Sequence, residues 1–139
     1  MKKFVIGLLI ATAFAFQSCD DYPDGPLVSL TSKTERVAND WKVGEALDEG
    51  TNITSEYEKY ELSLTKGGEA NLTANYKFLG IQYEFTTTGT WEFLSNETKL
   101  SFDFENDDAD GVYEILRLKE DEMWLKEDAG TVELHFMPR

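Results

Sequence analysis

The thirteen residues IQYEFTTTGTWEF, Ile81 to Phe93, divide cleanly by parity. Ile81, Tyr83, Phe85, Thr87, Gly89, Trp91 and Phe93 occupy one set of alternate positions; Gln82, Glu84, Thr86, Thr88, Thr90 and Glu92 occupy the other. A period of two over that length describes a β-strand with one apolar and one polar face, because successive side chains point to opposite sides of a sheet. It predicts one long strand, or two collinear strands kinked at Gly89, where a residue without a side chain permits a bend.

The same alternation extends in both directions. Upstream, Leu72, Ala74, Tyr76 and Phe78 alternate with Asn71, Thr73, Asn75 and Lys77. Before them Tyr60, Leu62 and Leu64 alternate with Glu61 and Ser63, and Gly67-Gly68 gives a two-residue hairpin signal. Trp41, Val43 and Leu47 suggest a first strand broken near Gly44. Downstream, Ser95-Asn96-Glu97 marks a turn, and Leu100, Phe102 and Phe104 share an inward face. Residues 112–118 read as a strand whose apolar parity changes between Ile115 and Leu116, which predicts a bulge. Met123 and Leu125 form a short strand, Asp128-Ala129-Gly130 turns, and Val132, Leu134 and Phe136 make the last strand. Ser32-Lys33-Thr34-Glu35 fits a capping box and predicts a helix of about two turns over residues 33–38.

Eight strands with short connections exclude parallel crossovers, which need a dozen or more residues each. The expected fold is all-β: an eight-stranded antiparallel up-and-down barrel with a short N-terminal helix, closure removing the exposed edges. A two-sheet β-sandwich is the alternative.

The N-terminus carries an address. Lys2 and Lys3 precede an uncharged, mostly apolar run, Phe4 to Phe16, too short to span a bilayer as a helix. Phe16-Gln17-Ser18-Cys19 follows, holding the one cysteine of the chain. This arrangement resembles the lipobox of bacterial lipoproteins, in which the cysteine is lipidated and becomes the first residue after cleavage. The resemblance implies a signal peptide at residues 1–18 and lipidation at Cys19. Residues 19–30 would form an acidic linker, and the barrel domain would occupy residues 31–139. Asp20-Asp21-Tyr22-Pro23-Asp24 is similar to the acidic export signal of surface lipoproteins of the Bacteroidetes type. It implies lipid anchoring at the outer membrane with exposure at the cell surface, the periplasmic face being the alternative.

Removing residues 1–18 takes the net charge from −14 to −16, because Lys2 and Lys3 leave with them. Such a surface repels nucleic acid and anionic headgroups, so nucleic acid is not an expected partner. The barrel region is similar to the small lipocalin-like domains of Bacteroidetes lipoproteins. The resemblance is carried by Asn39-Asp40-Trp41, Gly89-Thr90-Trp91-Glu92-Phe93 with Leu100-Ser101-Phe102, and Tyr113-Glu114-Ile115-Leu116-Arg117-Leu118 with Met123-Trp124-Leu125. It implies a barrel open at one end that holds a small apolar ligand. It also implies a tryptophan, Trp41, at the closed base, with a late basic residue, Arg139 or Arg117, packed across it.

The candidate ligand-binding residues are the inward aromatics Tyr60, Tyr76, Phe78, Tyr83, Phe85, Trp91, Phe93, Phe102 and Phe104. They could equally fill the interior, since eight strands leave room for packed side chains or one small ligand. The filled alternative acts as an interaction or structural module at the outer membrane, its protein partner unknown.

No catalytic residue, cofactor or metal is expected. Asn106-Asp107-Asp108-Ala109-Asp110-Gly111 resembles the start of a calcium loop, but its twelfth position is Arg117, where a bidentate Glu is required. An acidic hairpin tip is the simpler reading. His135, the one histidine, lacks a cysteine partner and faces outward by parity. Neither G-x-S-x-G nor H-E-x-x-H occurs.

Overall fold

The computed structural model describes residues 31–139. The expected signal peptide, Cys19 and the expected acidic linker lie outside the described residues. Ser32 caps a single short helix, α1 (Lys33–Val37). Its hydroxyl accepts from Glu35 N, and the Glu35 carboxylate accepts from Ser32 N, completing the box that the sequence predicts.

Nine strands follow: β1 (Asp40–Asp48), β2 (Thr51–Asn52), β3 (Tyr60–Leu64), β4 (Glu69–Phe78), β5 (Ile81–Leu94), β6 (Lys99–Phe104), β7 (Gly111–Leu118), β8 (Met123–Glu127) and β9 (Val132–Pro138). From β3 to β9 each strand pairs antiparallel with the next, and β9 returns to β1 along seven residue pairs. The sheet is therefore a closed eight-stranded barrel, with β2 as a two-residue addition beside the end of β1. Two residues carry no alternation, so β2 has no signature in the sequence. The sandwich alternative does not hold, because the β1–β9 ladder closes the sheet.

Two irregularities fall where the sequence places them. The register of β1 against β9 shifts between Val43 and Glu45, a bulge at Gly44. That of β7 against β8 shifts between Ile115 and Arg117, so that Ile115 and Leu118 both point into the core. At Gly89 the strand takes the first of its two expected forms: β5 is one long strand with no register shift, and Gly89 pairs with both Ala70 of β4 and Phe104 of β6. A Cβ at Gly89 would stand 2.6 Å from the Phe104 Cα, and closer still to the Asp103 carbonyl. The β3–β4 hairpin differs from expectation. Its turn spans four residues, Thr65 to Gly68, with Thr65 N donating to Glu69 O and Gly68 N to Thr65 O.

Strand direction divides the barrel into two ends. The turns at 65–68, 95–98 and 119–122, together with α1, lie at the closed end. There Trp41 is wholly buried and its Nε1 donates to Val37 O, 2.8 Å away. The expectation that Arg139 or Arg117 crosses Trp41 is corrected by their partners. Arg117 lies 4.2 Å over the Trp124 ring and pairs with Glu122, while Arg139 pairs with Glu61. The arginine buried at this end is Arg36 of α1, whose Nη1 donates to Leu118 O at 2.6 Å.

Candidate functional site

The open end is framed by the Leu79–Gly80 turn, the 3₁₀ turn Thr54–Tyr57, the loop containing the 3₁₀ turn Asp107–Ala109, and the β8–β9 turn. Inside this rim lies a cup of about 350 Å³, within the range of small-ligand pockets. Leu72, Ala74, Phe85 and Leu134 supply its apolar wall. Tyr57, Tyr60 and Tyr113 bring hydroxyls, and Glu56, Asp108, Asp110 and Glu127 bring carboxylates.

Each side chain has a local reason for its place. Tyr60 opens β3 and contacts both Tyr57, with ring centres 5.5 Å apart, and Phe136, at 6.0 Å. Tyr113 projects from β7 at an edge to Phe102, 5.7 Å away, and lines the cup together with Tyr60. The acidic loop is held by its own caps. Asn106 Oδ1 accepts from Asp108 N at 3.1 Å, Asn106 N donates to Thr87 Oγ1 at 3.1 Å, and Asp110 Oδ1 accepts from Phe104 N at 2.6 Å. Asn106 and Asp110 thus serve to build the rim. Among the described residues no group of three or more His, Cys, Asp or Glu side chains is arranged to hold a metal ion.

The cup is unfavourable to negative charge. Burial raises the pKa of the Tyr60 hydroxyl well above its ordinary value, the nearby Tyr113 and Tyr57 adding to the effect. Tyr113 is pushed up to about 12, by burial first and by the Glu127 carboxylate second. Tyr57 is raised by the same two causes in the same order. All three stay neutral hydrogen-bonding groups across the physiological range, beside carboxylates that favour a cation.

The nine candidate aromatics separate into three groups. Tyr60 and Phe85 line the cup. Trp91, Phe102 and Phe104 are buried in the core, with Phe93 packed against it. Trp91 is fastened to the β3–β4 turn by its Nε1, which donates to Thr65 O at 2.9 Å. Tyr76, Phe78 and Tyr83 correct the inward assignment: they are 49%, 59% and 41% exposed. They continue the inner face of β4 and β5, but that hairpin outruns its neighbours. β3 begins at Tyr60, opposite Ala74, so no strand shelters the residues beyond.

Sequence reasoning missed Tyr57, Tyr113 and the four carboxylates. Tyr113 shares the inward face of β7 with Ile115, and that parity was available as a signal. Tyr57 sits on a 3₁₀ turn, where alternation says nothing. His135 does face the outer wall, yet it is largely covered. Its ring stacks on Trp124 at 4.0 Å and lies between Glu45 and Glu133, at 3.2 and 2.7 Å.

No family model and no curated protein matches the chain. Among solved structures it is similar to a lipocalin-like protein from Bacteroides uniformis, with a TM-score of 0.57 at 13% identity. The match covers 75% of this chain and 99% of that one. At that identity the likeness concerns architecture alone, and with the closed strand ladder it identifies the fold as a lipocalin-like β-barrel.

Proposed function

We propose that this protein binds a small ligand in the open half of its barrel, and that it does so as a lipid-anchored component of the bacterial cell envelope. The observation that carries the binding reading is the cup of about 350 Å³ in a barrel whose other half is packed solid around Trp41, Leu100 and Leu118. A barrel serving as structure alone gains stability from filling both halves. The lining refines the expected ligand from purely apolar to amphipathic. An apolar body rests on Leu72, Phe85 and Leu134, and a basic or hydrogen-bonding group meets the tyrosines and Glu127. The anchoring reading rests on the sequence, on the apolar run ending in Ser18-Cys19 and the acids after it.

Two experiments test these readings. Titration with a fluorescent dansyl amine, against a neutral dansyl amide of equal size, should show saturable binding that favours the amine. Glu127→Gln should lower the amine's affinity by about tenfold, the worth of one lost charge-assisted contact. Failure of both probes to bind, in an otherwise folded protein, would contradict the binding reading. Separately, Cys19→Ala should release the protein from membranes washed with carbonate, whereas the lipidated form stays bound through its several acyl chains. Equal retention of both forms would refute anchoring through Cys19.

A further inference from the structure

We propose that the tip of the β4–β5 hairpin is a membrane wedge, which seats Phe78, Leu79 and Ile81 in the interfacial layer of a lipid bilayer beside the open end of the barrel. Six large hydrophobic or aromatic side chains are exposed among the described residues, and five lie on this tip. Leu79, at the apex, is 86% exposed. A patch gathered at one convex point is unlike the scattered apolar residues of an ordinary surface.

The turn chemistry makes the point sharper. Leu79 and Gly80 form a two-residue turn in which both have positive φ, 51° and 77°. Asn or Asp followed by Gly is the favoured sequence there, because a short polar side chain tolerates the left-handed region and faces water. Leucine is disfavoured on both counts. The other strand connections show the contrast: Glu49-Gly50, Ser95 to Thr98 and Asp128 to Thr131 are built from polar or small residues. Local stability does not account for Leu79, and an apolar phase at the apex does.

The tip has the layering of an interfacial segment. Phe78 pairs with Ile81, and Tyr76 pairs with Tyr83 two residues further from the apex. Those two residues of strand measure about 7 Å, a fair match to the depth of roughly 5–10 Å at which apolar faces lie in the headgroup boundary. The Tyr76 and Tyr83 rings, stacked at 5.5 Å, would sit at headgroup level, where amphipathic rings concentrate. Lys77 and Gln82 pair on the other face of the ribbon. Charge agrees: the chain holds 27 carboxylates, yet residues 70–83 contain none, and Lys77 is their only charged residue. A narrow, convex tip suits a fluid layer better than a protein partner, which needs roughly 800 Å² on each side.

The inference is independent of lipidation at Cys19 and of any ligand in the cup. Its test uses the full chain carrying Cys19→Ala, so that a single introduced thiol takes an environment-sensitive nitrobenzoxadiazole label. One version is labelled at Leu79→Cys, the other at Glu92→Cys on the exposed outer wall of β5. Vesicles of phosphatidylcholine and phosphatidylethanolamine, with or without brominated acyl chains, are added while binding is followed by co-sedimentation. The label at 79 should brighten, shift to the blue and be quenched by bromine, and the label at 92 should not. Adding phosphatidylglycerol at low salt should weaken the response, because the acidic chain is repelled. Leu79→Asn relieves the turn and is expected to fold at least as well. Read through a label at Ile81→Cys, it should cut bromine quenching by about threefold or more. The proposal is overturned by a water-exposed label at 79 on vesicle-bound protein, by equal responses at 79 and 92, or by quenching indifferent to Leu79→Asn. A blue shift that grows with protein concentration before lipid is added would also overturn it, in favour of a second copy covering the tip.

Discussion

Gly89 shows how much one residue can fix. The strand β5 is long enough to serve two neighbours, and it changes partner where Gly89 pairs with both Ala70 and Phe104. The backbone of β6 approaches so closely that a methyl group has no room: the obstacle is the Asp103 carbonyl and the Phe104 Cα, which cannot rotate away as a side chain could. Gly89→Ala should therefore destabilise the fold by about 2–3 kcal/mol, the upper part of the range for overpacking, although alanine normally favours a strand over glycine. Urea denaturation would measure it. A loss below the error of the method would mean that β6 shifts freely and that Gly89 is not what sets the crossing.

At the level of elements, alternation made the strands legible and also set its limit. The parity of β5 shows which side faces in, and that side is correct from Phe85 to Phe93. Parity cannot show where the barrel ends. Tyr76, Phe78 and Tyr83 keep the inward phase but extend past the start of β3, so they are exposed. The rim of the cup was hidden for a related reason, since Tyr57, Asp108 and Asp110 stand on turns whose placement depends on contacts distant in sequence. The closed end was easier, because the Ser32–Glu35 box and Trp41 lie close together in the chain. There α1 acts as a plug: Val37 is buried, and its carbonyl receives the Trp41 indole N–H. Trp41→Ala should cost about 3–5 kcal/mol, as large core truncations do. It should also free the Val37 carbonyl from its partner and loosen the helix. Hydrogen exchange at the amides of Arg36 and Ala38, which donate to Ser32 O and Thr34 O, would report the loosening. Unchanged protection there, in a destabilised protein, would separate the helix from the plug.

For the molecule as a whole, the consequence of the cup appears at high pH. Tyr60 and Tyr113 are raised above 10.0, the ordinary tyrosine value, Tyr113 to about 12. Between those values the unfolded chain has released the Tyr113 proton while the folded chain still holds it. Stability therefore falls as pH rises through this window, by roughly 2–3 kcal/mol for a group displaced this far. Below pH 10 both states hold the proton and the group contributes no pH dependence. General repulsion acts in the same direction, since a chain of net charge −14 becomes more negative as its lysines deprotonate. The two causes separate in a variant with Tyr60→Phe and Tyr113→Phe. In that protein the decline between pH 10 and 12 should be shallower. Repulsion from the remaining charges is common to both proteins, so the difference in slope belongs to the cup. Parallel slopes in denaturation measured at successive pH values would instead assign the alkaline loss to the surface charge, and would mean that the two hydroxyls ionise in the folded protein as readily as in water.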